Sequence, residues 1–482
     1  MLARVIFIIL ISFACISCGG GSSDSEPEIE VDKVVDEVED TSMLANHIIV
    51  GDITFHFDKE YTVGQFVDGQ WWVHNYGDDV VVTSMTPASF NDGGRIRNGA
   101  ELNPVNSSEQ GFDGLGDAGV TVDMPYSANK NVDPGVTGAS LTLTPNNSVV
   151  KAISKEENTS RSLLEQAAIL TVLETAPTGD VFRPAYAGTD KSLMINLSDI
   201  DYSVLGKYAP LSDTPHIETY LPYITGVWLD HNSEWTQRDI HPESSMPVYG
   251  REIARFTSEV ALQLQLDYTN EEKEAALIAI VQHAIDIYAV LQLSPLNDKE
   301  NYYWYNNGGH NQGRKIQLLI AGLVLNHSGM LAIANAEQES NLLFQEDQQT
   351  FYVTQDDIDY TFTADQIADG DKGYQQADLG LAEWATRPWD RRESTLNSDW
   401  GSRYRVVNGC NAIVTALAVH MMGAVDYWNR DVFFDYADRY FSREGDINTE
   451  SFNGNEIRRV PADLWREHRD KFSEVYTGDL TE

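Results

Sequence analysis

Near residue 160 the apolar residues of this 482-residue chain change period, and that change constrains the fold more than any single motif. From His47 to about Val150 the apolar runs are short and rich in β-branched and aromatic residues: Ile48 to Val50, Ile53 to Phe57, Gln70 to His74, Val80 to Thr83 and Ala139 to Pro145. Asp-Gly, Gly-Asp and Asn-Asp-Gly-Gly turns punctuate them, so the stretch reads as strands in a small sandwich-like module or an N-terminal sheet, with long polar loops between Asn91 and Gly138. From Ser160 the spacing becomes three to four. Leu163, Ala167, Leu170 and Leu173 predict a first helix; Thr257 to Leu266, Glu271 to Leu291, Ile316 to Val324, Ile413 to Val425 and Val432 to Tyr440 predict others. Helices of ~12–20 residues joined by loops describe antiparallel hairpins. No repeat of fixed period is present in the sequence, which argues against a regular solenoid. The expectation is a mainly α chain with an N-terminal β portion: a β-rich module over 46–155 and a helical domain over 156–482. An acidic, aromatic insertion between Gln345 and Ala377 reads as a flap over a cleft or as a surface excursion.

The first 17 residues carry one early cation, Arg4, then an apolar run from Val5 to Ala14 and small residues before Cys18. This is the pattern of a secretory leader. Cys18-Gly-Gly-Gly resembles the cleavage and lipidation site of a bacterial lipoprotein. Residues 18–45 then become a lipidated, solvated linker, with nine carboxylates and one lysine between Asp24 and Asp40. The expected location is the envelope of a Gram-negative bacterium, with membrane contact through the lipid anchor only. Beyond the leader no segment reads as long and apolar enough to cross a bilayer. With Cys18 acylated, Cys410 has no partner for an intrachain disulfide. The formal net charge of −41 argues against nucleic acid as a partner. It also means that an anionic polymer would need cations concentrated in its own cleft, which prevail once salt shortens the screening length.

The chemistry concentrates in two stretches. Residues 302–315 run Tyr-Tyr-Trp-Tyr-Asn-Asn-Gly-Gly-His-Asn-Gln-Gly-Arg-Lys, then an apolar helix begins at Ile316. Tyr303 and Trp304 offer sugar-stacking faces, Asn307, Asn311 and Gln312 offer amides, His310 a titratable ring, and Arg314 and Lys315 positive charge. A helix starting near His310 would place His310 with Arg314, and Asn311 with Lys315, on shared faces; the plain alternative is a polar loop capping a helix. The second stretch is Asp399-Trp-Gly-Ser-Arg-Tyr-Arg405. Arg403 and Arg405 flank Tyr404, and adjacent cations favour the phenolate, bringing a phenol of ordinary pKa about 10 nearer to use as a base. Alternatively the arginines pair with carboxylates while Tyr404 packs. Around Trp228, His231 reads as a sugar-binding loop residue. Asp230, His231, Glu234 and His241 could in principle hold a structural divalent cation, but no His-x-x-x-His spacing supports one, so neither a metal nor a cofactor is expected. Trp384 and Trp389 add further stacking surfaces.

A secreted lipoprotein with helical hairpins, an Asn/His-bearing loop (Asn306-Asn307 and His310-Asn311) and a downstream Arg403-Tyr404-Arg405 resembles the (α/α)-toroid polysaccharide lyases that cleave alginate and related uronans. That resemblance covers roughly residues 160–445. It implies an (α/α) toroid and β-elimination at a uronate, with Tyr404, His310, Asn311 and Arg403 catalytic. It also implies that Arg314, Lys315, Gln312, Arg405, Tyr303, Trp304, Asn307, His231, Trp384 and Trp389 bind an acidic polysaccharide. Either Tyr404 or His310 could be the base. Two other classes stay open: a glycoside hydrolase, for which Asp230, Glu383, Asp390 and Asp399 are the available carboxylates, and a non-catalytic glycan-binding lipoprotein.

Overall fold

In the computed structural model, a long β-strand buried on both of its faces joins a curled sheet to a layer of helices. The structure describes residues 42–115, 124–156, 162–232, 239–247, 250–293, 304–305, 309–337, 342–361, 363–364, 373–385, 403–444 and 459–476; for 403–408, 410, 443–444 and 459 the backbone alone is described. Residues from Asp40 onward belong to one compact unit.

The strands are β1 (Met43–Val50), β2 (Ile53–Gln65), β3 (Trp71–His74), β4 (Val80–Thr86), β5 (Phe90–Asp92), β6 (Arg95–Arg97), β7 (Ala100–Leu102), β8 (Leu141–Leu143), β9 (Asn147–Ser154) and β10 (Leu164–Leu173). β5 and β6 form a separate hairpin. The others make one mixed, half-barrel-like sheet of order β7-β9-β10-β3-β2-β4-β8, with β1 paired to β2. Only β10 and β3 run parallel among the pairs of that sheet. Helices of five residues or more are α1 (Arg251–Gln263), α2 (Asn270–Leu293), α3 (Arg314–Val324), α4 (Ser328–Ala334), α5 (Gln345–Gln349), α6 (Arg403–Met421), α7 (Asp431–Glu444) and α8 (Arg459–His468) among the described residues. Two short strands, β11 (Thr350–Tyr352) and β12 (Ala382–Trp384), pair antiparallel beside them.

This corrects the expected mainly α toroid: the fold is mixed, and its N-terminal half is the curled sheet. The residues that misled are those of β10. Leu164, Ala167 and Ile169 pack into the core shared with the helices, while Ala168, Leu170 and Val172 pack into the core inside the sheet. A strand apolar on both faces reads as an unbroken apolar run, and such a run matches helical spacing as well as strand spacing. β9 divides in the same way, with Val150 and Ala152 on the helical side and Val149 on the other. The sheet therefore extends beyond residue 155.

The five predicted strand runs and the helices at 257, 271, 316, 413 and 432 are present. α2 is in fact long and apolar enough to span a bilayer by length and composition, but it is largely buried in the protein core. His283 in its middle stacks on Trp228 with ring centroids 4.1 Å apart and meets Gln317 at 3.0 Å, and burial pushes its pKa down to about 4. His327, which follows α3 in sequence, caps the start of α4 by accepting the Met330 N–H. The insertion after Gln345 begins inside the core: Gln345, Glu346, Asp347 and Gln349 are buried.

Candidate functional site

The turn Gly309–Gly313 enters α3 and is held from three sides. On the first, consecutive side chains of α5 reach alternate residues of the turn and of the start of α3. Gln345 Oε1 accepts the Asn311 N–H at 2.9 Å, Glu346 Oε1 accepts the Gly313 N–H at 2.7 Å, and Asp347 Oδ1 accepts from Lys315 Nζ at 2.5 Å. On the second side Arg314 folds back. Its Nη1 donates to the carbonyls of His310 (3.0 Å) and Gln312 (3.2 Å), while Nε and Nη2 fork onto the two oxygens of Asp230 at 2.9 Å each. The Asp230 carboxylate also meets His241 Nε2, at 2.9 Å from Oδ1. On the third side the backbone of Gly250, next to the start of α1, abuts His310; a Cβ there would lie 2.8 Å from His310 Cα.

Gly313 sets the geometry. Its φ of +97° closes the turn and starts the helix at Arg314 rather than near His310, so the shared faces expected for 310/314 and 311/315 do not form. A Cβ on Gly313 would also lie 2.6 Å from Ala254 Cα. Gly313→Ala should therefore combine left-handed backbone strain of ~1–2 kcal/mol with overpacking of ~1–3 kcal/mol. A fall of the urea midpoint matching roughly 2 kcal/mol or more checks this; an unchanged midpoint contradicts it.

The electrostatics follow from burial. Burial alone would raise the Asp230 pKa, but Arg314 and then His241 outweigh it and hold the carboxyl well below its usual range. Asp230 is therefore the buried anion for the Arg314 cation. Burial pushes Glu346 up to about 7; its Oε1 takes the Gly313 N–H and its Oε2 has no partner among the described residues. Burial likewise raises Asp347 and lowers Lys315, although the two are paired. Lys315 Nζ also donates to Trp428 O at 3.0 Å and lies 4.2 Å from the centroid of that ring.

The residues singled out in the sequence thus separate. His310, Asn311, Gln312, Arg314 and Lys315 are brought together and are all buried, with His310 the most exposed at 6%. Asn311 Nδ2 donates to Tyr305 O, and Arg314 and Lys315 are committed to Asp230 and Asp347. His231 is buried against Tyr186, whose hydroxyl lies 3.2 Å from its Nδ1, and burial pushes its pKa down to about 3. Trp304 is buried and stacked on Phe344, and Trp384 is buried against Tyr436, so neither ring offers a face to a sugar. Cys18, Tyr303, Asn307 and Trp389 lie outside the described residues. Of the carboxylates weighed for hydrolysis, Asp230 is paired with Arg314 and Glu383 with Arg439, while Asp390 and Asp399 lie outside the described residues. The reading around Trp228 brought Asp230 and His241 together as possible ligands, but Arg314 occupies the carboxylate. Among the described residues no group of three or more His, Cys, Asp and Glu could hold a metal.

Arg403, Tyr404 and Arg405 open α6. α6 and α1 run in the same direction: Asn411 Nδ2 donates to Arg251 O at 3.4 Å, and Gln265, just past the end of α1, donates to Met422 Sδ, just past the end of α6. Seven residues separate Tyr404 from Asn411, ~10 Å of helix. The first two turns of α6 therefore extend beyond the N-terminal end of α1, the end on which the His310 turn packs. Comparison with protein-family models, curated proteins and solved structures finds no match to this chain.

Sequence reasoning missed Glu346. It stands in a polar run, Gln345 to Gln349, and the only sequence clue to burial is the flanking Leu342-Leu-Phe344 and Phe351.

Proposed function

We propose that the protein is a secreted, lipid-anchored lyase that cleaves a uronic-acid-containing polysaccharide, of the alginate or glucuronan type, by β-elimination. The observation that carries this reading is the overhang of α6 at the end of α1 that bears the His310 turn. A phenol between two arginines and an imidazole then belong to one end of the helical layer.

In this reading Arg403 and Arg405 neutralise the uronate carboxylate, which acidifies the C5 proton. Tyr404, its phenolate favoured by those cations, removes that proton. The C5–H electron pair becomes the C4=C5 double bond, the C4–O4 bond breaks, and O4 takes a proton from Tyr404 or from His310. Arg314 and Lys315 hold the turn and the helix start rather than meet the substrate, because Asp230 and Asp347 take their charges, and Asn311 donates to Tyr305 O. The pairing of Asp230 and Glu383 in buried ion pairs weighs against the hydrolase reading, which needs two available carboxylates.

The test is product chemistry. Purified protein is incubated with alginate, glucuronan, pectate and glycosaminoglycans while the ultraviolet absorbance of the unsaturated uronate is followed. A rise in absorbance supports elimination. New reducing ends without absorbance would replace it by hydrolysis, and binding with neither signal would leave a glycan-binding protein.

A further inference from the structure

We propose that His47 and His56 form a binding site for a divalent transition metal on the outer face of the sheet. The two residues are directly opposed across the antiparallel β1–β2 pair, so their side chains leave the same face. Ile48, Ile53 and Phe55, on the opposite face, are buried in the sheet's own core, while His47 is exposed and His56 half-buried. The two imidazoles lie 6.1 Å apart between centroids with planes inclined by only 26°. Each has a neighbouring oxygen: Asn46 Oδ1 is 2.9 Å from His47 Nδ1, and Thr86 Oγ1 is 3.4 Å from His56 Nε2. A proton donated by Nδ1 to Asn46 leaves His47 Nε2 as the lone pair, the arrangement in which a second group fixes the tautomer of a metal ligand. Two imidazole nitrogens suit zinc or copper, with water completing the coordination. The strongly negative chain raises the local cation concentration.

The site has a structural consequence. β1 pairs only with β2 among the described strands, and a metal bridging the two histidines would tie that edge strand down.

The experiment uses the untagged full-length chain dialysed against Zn2+ at pH 7.5 in excess Mg2+, which occupies loose carboxylate sites. Zinc content and amide exchange across β1 are then compared for wild type, His47→Gln and His56→Gln. The expected result is one zinc more in wild type than in either variant, together with slower β1 exchange in wild type when zinc is present. Equal zinc content in all three proteins overturns the proposal.

Discussion

Arg314→Ala is expected to destabilise the protein by about 3–5 kcal/mol, the cost of leaving a buried charge without its partner. Asp230 would keep His241 but lose both guanidinium bonds, and the carbonyls of His310 and Gln312 would lose their donor. Arg314→Lys should recover only part of this, because an ammonium cannot reproduce the fork. The double variant Arg314→Met, Asp230→Leu should be markedly less destabilised than the sum of its single changes, because it strands neither charge. Denaturant unfolding of wild type, Arg314→Ala, Arg314→Lys, Arg314→Met, Asp230→Leu and the double variant checks the prediction. A loss below about 1 kcal/mol for Arg314→Ala, within the range of an exposed ion pair, would show that the pair does not anchor the turn.

Glu346→Gln should change how stability depends on pH. The folded carboxyl titrates at about 7 because of burial, against an ordinary value of 4.5. A raised carboxyl pKa means that stability is fully present below the unfolded value and is lost as pH rises through the folded one. Wild type should therefore lose roughly 3 kcal/mol between pH 4.5 and 8 from this group, at ~1.4 kcal/mol per pKa unit. In Glu346→Gln that component disappears, while the Gly313 N–H keeps a carbonyl acceptor. Unfolding free energies measured at pH 5 and pH 8 should show a smaller fall in the variant than in wild type. Parallel profiles would mean that Glu346 is already ionised in the folded state near pH 5.

How far the sequence could be read depends on the range of the interactions. Ile53 to Phe57 and Glu271 to Leu291 show their period locally, and they form β2 and α2 where expected. β10 was lost because burial on both faces removes the alternation that marks a strand. The run of polar side chains before the helix at Ile316 is legible in the sequence, but not the turn closed at Gly313 or the direction those side chains take. Asp230 and Arg314 are 84 residues apart, and Lys315 and Asp347 are 32 apart. A cation next to an amide reads equally as ligand-binding or as half of a buried pair until the fold supplies the other half. The same limit hid Glu346, whose partner is a backbone N–H 33 residues away.

Elimination by the phenol at the start of α6 is the central claim, and turnover by Tyr404→Phe measures it most directly. The variant should bind the uronan as wild type does while its rate of ultraviolet-absorbing product falls by roughly 10²-fold or more, the scale of general acid–base catalysis. Product formation by Tyr404→Phe at the wild-type rate would contradict the account.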